Sequence, residues 1–99
     1  MASKLEKKFQ KELIDELHEM FPGCMVLKND PDYIQGIPDL TVFYGPHWAT
    51  LECKRETDAN RQPNQPYYVN KMNEMSFSRF IYPENKETVL HELQSAFRT

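Results

Sequence analysis

Only two cysteines occur in the chain, Cys24 and Cys53, and their separation matches no zinc-ligand spacing; the three histidines, His18, His47 and His91, fall near neither. A structural zinc site is therefore not expected, Cys53 reads as a small core residue, and the histidines read as surface or turn residues. No stretch approaches the roughly twenty apolar residues of a membrane-spanning helix, which sets aside an integral helical membrane protein. The opening Met1-Ala2-Ser3-Lys4-Leu5-Glu6 lacks the apolar core of a secretory signal, so the expectation is a soluble, cytoplasmic protein whose thiols stay reduced. A basic excess is missing too: 12 Lys and Arg stand against 15 Asp and Glu, a net charge of −3. That balance disfavours a general nucleic-acid coat protein, because affinity for phosphate chains comes mainly from Lys and Arg. It leaves room for a local basic groove, since Lys4, Lys7, Lys8 and Lys11 cluster early and Lys54, Arg55 and Arg61 cluster at mid-chain. Neither an internal repeat nor a low-complexity tract is present.

What remains is a chain of 99 residues with 39% hydrophobic residues, enough for one compact domain over residues 1–99 with one modest core. Leu5, Phe9, Leu13, Leu17 and Met20, joined by Ile14, recur at three- and four-residue steps and predict an amphipathic helix over Lys4–Met20, capped by Ser3 and stopped by Phe21-Pro22-Gly23. Cys24–Leu27 reads as a short buried strand, followed by a polar loop through Lys28–Asp32. Two runs rich in β-branched and aromatic residues, Leu40–Tyr44 and Trp48–Lys54, flank Gly45-Pro46-His47 and predict an antiparallel hairpin. A loop over Thr57–Pro63 follows. Pro66 suits the first turn of a helix reaching Met75, with Asn64 or Gln65 near its cap and Tyr68, Met72 and Met75 on its core side. Phe77–Tyr82 reads as a strand and Lys86–Phe97 as a closing amphipathic helix. The order is α-β-β-β-α-β-α, an α/β fold with a mixed sheet flanked by helices.

The chemistry concentrates in Gly36-Ile37-Pro38-Asp39 and, thirteen positions on from Asp39, Glu52-Cys53-Lys54. Glu-x-Lys also occurs at Glu6-Lys7-Lys8 and Glu84-Asn85-Lys86, but the first lies in a helical pattern, where residues two apart face different sides, and the second at a helix entry. In a strand, Thr50, Glu52 and Lys54 share a face while Leu51 and Cys53 point oppositely. Asp39 joins the Glu52 side only if opposed residues in the hairpin have numbers with an odd total, which needs an even loop or a bulge; a total near 91 sets Asp39 directly across from Glu52. Two carboxylates that close repel unless a cation or a lysine lies between them, so the pattern implies either a site for a hard metal ion or a raised carboxylate pKa. The bland alternative is a solvated face of charges on an edge hairpin. From the first helix, Glu6 and Gln10 can look past the apolar stripe toward the hairpin edge. Gly36 offers a backbone position without Cβ, suited to close approach by another chain or a phosphate.

The helix acid, Gly36-Ile37-Pro38-Asp39, Glu52-Cys53-Lys54 and Pro63-Asn64-Gln65, in this order, resemble the VRR-NUC branch of the PD-(D/E)xK nucleases, and most closely its small stand-alone phage and prophage members. The likeness spans nearly the whole chain. It implies a restriction-endonuclease-like fold and a Mg²⁺- or Mn²⁺-dependent endonuclease acting on DNA. Asp39, Glu52, Glu6 and the backbone carbonyl of Cys53 are the implied metal ligands, with Lys54 near the attacking water and Gln65 at the site. Glu12 or Glu16 could supply the helix acid in place of Glu6. The resemblance further implies a homodimer that cuts branched DNA such as four-way (Holliday) junctions, working in the cytoplasm, the host's if phage-encoded, with no small-molecule cofactor. A dimer is also expected on size, because one small unit cannot span both halves of a branched duplex, and Tyr33, Trp48, Tyr67 and Phe80 are its candidate contact residues. Two other readings compete: a nucleic-acid-binding module without catalysis, and an acidic interaction protein for which the net charge is natural.

Overall fold

A computed structural model describes residues 3–56 and 62–98. The element order is α1 (Lys4–Met20), β1 (Met25–Lys28), β2 (Leu40–Tyr44), β3 (His47–Cys53), α2 (Gln65–Met75), β4 (Ser78–Ile81) and α3 (Lys86–Ala96). The four strands form one sheet in the order β1-β2-β3-β4. Pairing is antiparallel from β1 to β3 and parallel between β3 and β4, so the sheet is mixed.

The hairpin turns on two residues, Gly45 and Pro46, and His47 already pairs with Tyr44. The three-residue connection expected from the sequence is thus one residue shorter. Gly45 has φ +60, a left-handed value that glycine adopts without a Cβ penalty, and this permits the tight turn. An even loop sets an odd register: every opposed pair from Leu40↔Leu51 to Tyr44↔His47 has residue numbers totalling 91.

Alternation then divides β3 between two layers. Ala49, Leu51 and Cys53, with Leu40, Val42 and Ile81, join Phe9, Leu13 and Leu17 of α1 and Val89, Leu90 and Leu93 of α3 in one apolar core. On the other face, Thr50 Oγ1 reaches Met72 Sδ of α2 at 3.3 Å and Glu52 is bonded by Gln65, so α2 covers the polar side of β3. Ser3 caps α1 as expected, its hydroxyl accepting from the Glu6 N–H at 3.1 Å.

Three expectations change. The first strand is an exposed edge rather than a buried one, with Met25 and Leu27 59% and 44% exposed, because α2 packs on β3 and β4 and leaves that face of β1 and β2 open. Only Cys24, just before it, is buried, where its thiol donates to Leu17 O. In α2 the buried residue is Val69, while Met75 at the last turn stands exposed beyond the sheet. His47 lies in strand β3, half-buried and stacked on Phe97, rather than in a turn. The expected loop over Thr57–Pro63 lies largely outside the described residues. Among the described residues, no helix is long and apolar enough to cross a membrane.

Candidate functional site

Asp39 immediately precedes β2, and continuing the register one step sets it across from Glu52. Its carboxylate accepts the Cys53 backbone N–H at Oδ2, 2.9 Å away, which ties it to the last residue of β3. Asn29 holds Asp39's surroundings in place: its N–H donates to Asp39 O at 2.8 Å and its side-chain amide donates to Pro38 O and Thr41 Oγ1, both at 2.8 Å. Asn29 sits at the end of β1, facing the entry to β2, although the sequence pattern around it shows only a polar loop. The one signal for it is an asparagine directly beyond a strand whose partner begins beside Asp39.

Glu52 is 2% exposed and Lys54 7%. The Lys54 Nζ stands 3.7 Å from Glu52 Oε2, and the Gln65 amide donates to the same oxygen at 2.8 Å. Gln65 in turn accepts the Gln62 N–H at 2.8 Å, which orients its amide. Glu52 Oε1, by contrast, is buried and has no hydrogen-bond partner among the described residues. Leaving such an acceptor unsatisfied costs about 1–3 kcal/mol. Strand β3 ends at Cys53, one residue short of the expected Lys54, yet Lys54 still meets Glu52 as the period-two argument requires, and the helix covering that face supplies the third group.

The two halves of the site meet through Gly36. Its φ of +92 is left-handed, and a Cβ there would collide with Asn64 Cβ. The loop leading to Asp39 therefore packs directly on the residue that caps α2 and precedes Gln65, and Asn64 Nδ2 donates to Gln35 O at 3.4 Å. The approach expected at Gly36 was by another chain or a phosphate; its neighbour is instead the start of α2.

Electrostatics follow from this burial. Glu52 is raised to about 8, first by desolvation and then by the Asp39 charge, against the opposing pull of Lys54 and the Asp39 N–H. Asp39 is raised by desolvation, partly offset by the Cys53 N–H and by Lys54. The Glu6 charge is felt at Asp39, Glu52 and Cys53, whereas Glu16 pairs with Lys86 at 3.0 Å and Glu12 lines a groove with Leu5, Lys8, Phe9, Pro83 and Lys86. Of these three acids on α1, Glu6 is the one whose charge reaches the site. Burial also raises the Cys53 thiol, which Gln10 hydrogen-bonds, so Cys53 serves as packing and lends its main chain to Asp39. Arg61 lies outside the described residues, and Arg55 pairs with Glu56 at 3.4 Å.

Two carboxylates, Asp39 and Glu52, share one lysine here, beside a buried oxygen that has no hydrogen-bond partner among the described residues. Oxygen donors of this kind suit a hard divalent cation. Among the described residues no three His, Cys, Asp or Glu side chains lie close enough together to hold a metal ion on their own. Asp39 and Glu52 would supply two ligands, and main-chain carbonyl, water or phosphate oxygens would complete the set. A scan against models of known protein families, a search of curated proteins and a search of solved structures return no match.

Proposed function

We propose that this protein is a Mg²⁺- or Mn²⁺-dependent DNA endonuclease, in keeping with its resemblance to the VRR-NUC nucleases. The observation that carries the reading is the half-buried Asp39 set across from buried Glu52, whose Oε1 has no hydrogen-bond partner among the described residues while Lys54 stands 3.7 Å from its other oxygen. Burying Glu52 and Lys54 beside Asp39 costs stability, and metal-assisted hydrolysis is a use for such a cluster that a binding module or an acidic adaptor does not need.

When bound, the ion lowers the pKa of a water and neutralises charge that develops on the scissile phosphate. The chain's own groups divide the remaining work. Asp39 and Glu52 would hold the ion, with Glu6 and the Cys53 carbonyl as the further ligands implied by the resemblance. Lys54 supplies a fixed positive charge and a proton donor beside the reacting phosphate. Gln65 donates to Glu52 Oε2 and so fixes the rotamer of Glu52, which would leave the other oxygen available to a ligand. The substrate class is DNA, with branched structures such as four-way junctions preferred, cut by a twofold-symmetric homodimer in the cytoplasm.

The test incubates purified protein with labelled linear, nicked, flapped and four-way DNA in Mg²⁺, Mn²⁺ or chelator. Metal-dependent cleavage, fastest on branched DNA, is the expected outcome; DNA binding without cleavage in either metal sinks the proposal. Light scattering at micromolar concentration should give twice the 11.8 kDa chain mass. A monomer there would leave a nicking enzyme.

A further inference from the structure

The charges of α1 are placed where a free helix is least stabilised by them. Lys4, Lys7, Lys8 and Lys11 occupy its first half and Glu12, Asp15, Glu16 and Glu19 its second, and all of these except the half-buried Glu16 are exposed. Cations near a helix N-terminus and anions near its C-terminus both oppose the macrodipole. Like charges are also stacked: Lys4 and Lys8, Lys7 and Lys11, Glu12 and Glu16, and Asp15 and Glu19 stand four residues apart, a spacing at which opposite signs stabilise and like signs repel. Within α1, among the described residues, the one ion pair joins Lys11 to Asp15 at 3.2 Å, and both side chains are so exposed that it contributes little. Helix stability therefore does not account for the segregation.

The basic half is also the half that meets the site. The Glu6 charge is felt at Asp39 and Glu52, and Gln10 hydrogen-bonds the Cys53 thiol, so the first two turns of α1 abut the end of β3. Lys7 and Lys11 follow Glu6 and Gln10 by one residue, about 100° around the helix axis, on the solvent side of that contact. With Lys4 they make a line at steps of three and four residues, about 10 Å long. Leu5, Lys8, Phe9 and Glu12 lie on the other flank, where they line a groove with Pro83 and Lys86.

The chemistry of this line decides what fits it. Stable protein interfaces are built around apolar anchors and are poor in Lys and Glu at their centre, and the exposed Leu5 of α1 stands on the opposite flank, by the groove. A phosphate chain needs no apolar anchor, because each lysine that neutralises a phosphate releases condensed counterions. At 3.4 Å per nucleotide of one strand, a line of about 10 Å spans about three phosphates. The acidic second half of α1 repels such a chain, so the contact ends after Lys11.

We propose that Lys4, Lys7 and Lys11 form a ridge that holds the phosphate backbone of the DNA duplex flanking the Asp39–Glu52 site. Backbone contacts position a duplex without reading its sequence, so the ridge serves linear and branched DNA alike. The inference rests on the endonuclease reading for DNA as the polyanion, but the ridge's own binding is measurable without cleavage.

The experiment uses the full chain in chelator and measures fluorescence anisotropy of labelled linear and four-way DNA over roughly 50 to 200 mM salt. Lys4→Gln, Lys7→Gln and Lys11→Gln should each reduce the slope of log affinity against log salt by about 0.9, and the triple variant should bind about tenfold more weakly or worse on both DNAs. The corresponding Arg variants should bind as the wild type does. Melting temperatures of the Gln variants should hold or rise, since like-charge repulsion along α1 is relieved. Lys71→Gln, an exposed lysine on α2, should leave the slope unchanged. Unaltered slopes in the α1 variants, an equal loss in Lys71→Gln, or no binding by the wild type at low salt overturns the proposal. So does a Gln variant that lowers the association state in light scattering with DNA binding intact, which would make the ridge a contact with a second copy. Metal-dependent cleavage with unaltered salt slopes in the variants removes the ridge and leaves the endonuclease; lysine-dependent binding without cleavage in any metal does the reverse.

Discussion

Strand β3 is buried on both faces, yet its two faces end in different states. Ala49, Leu51 and Cys53 enter an apolar core shared with α1 and α3, where each group loses water and gains close contacts. Thr50, Glu52 and Lys54 are as deeply buried under α2. Thr50 is satisfied by Ser78 Oγ at 2.7 Å, but Glu52 keeps an oxygen without a hydrogen-bond partner among the described residues. Folding completes the first face and leaves the second short of a ligand, so substitutions on the two faces should fail in different assays. Leu51, fully buried, gives the largest effect: Leu51→Ala is expected to lower stability by about 2–5 kcal/mol in denaturant unfolding. Any cleavage lost in that variant should return in proportion to the folded fraction. A well-folded but inactive Leu51→Ala protein would break the division between the faces.

The polar face should declare itself in the pH dependence of stability. Glu52 is raised in the folded chain from 4.5 to about 8, so between those values the native state holds a proton that the unfolded chain has released. Native protein then binds more protons than unfolded, and stability falls as pH rises through this window. The contribution is full below about 4.5 and gone above about 8. Asp39, raised as well, adds in the same direction. Because a tenfold change in proton affinity corresponds to about 1.4 kcal/mol, the loss across the window is on the order of a few kcal/mol. Thermal melts of metal-free protein on either side of neutral pH should show this slope, Glu52→Gln should flatten it, and Mn²⁺ should cancel it by binding the charged form. An unchanged slope in Glu52→Gln would assign the effect to other groups.

Lys54 sharpens the contrast, because it is buried on the polar face but is expected to matter for reaction more than for folding. Lys54→Ala should reduce cleavage by about a hundredfold or more, as when one transition-state donor is lost. The fold should survive, since Glu52 can take up a proton once its cation partner is gone. Cleavage rates at saturating Mn²⁺, read beside melting temperatures, check both halves. Full activity would remove Lys54 from the mechanism.

How much of this was legible in the sequence depended on whether the signal was local. Helix α1 was readable to the residue because its apolar stripe, its Ser3 cap and the Pro22-Gly23 stop all lie in or beside it. Glu52 and Lys54 share a face by simple alternation, and the Asp39–Glu52 pairing followed once the register was fixed; but the register hinged on whether His47 belonged to the turn or the strand. The rest needed the third dimension. Nothing in Met25-Val26-Leu27 says that α2 stops short of covering β1, and nothing near Gly36 names Asn64 as its neighbour. The choice among Glu6, Glu12 and Glu16 was likewise a question of which turn of α1 meets the strand end and which meets Lys86. Exposure of Met75 and burial of Val69 were set by where the sheet ends beneath α2, a boundary that helical spacing does not contain.

The smallest effect separates residues within the polar face itself. Gln65 and Thr50 both make side-chain hydrogen bonds there, Gln65 to Glu52 Oε2 at 2.8 Å and Thr50 to Ser78 Oγ at 2.7 Å. If the face were merely a satisfied polar interior, Gln65→Ala and Thr50→Val would behave alike, each costing about 1 kcal/mol of stability. If Gln65 instead aims Glu52, its loss frees the carboxylate to rotate, and cleavage should fall about tenfold, an energy of ~1.4 kcal/mol, with little change in melting temperature. Thr50→Val, two residues from Glu52 but bonded away from it, should show the opposite pattern: a small loss of stability and wild-type cleavage per folded molecule. Equal activity loss in both variants would mean that packing under α2, and not the orientation of Glu52, is what the site needs from this face.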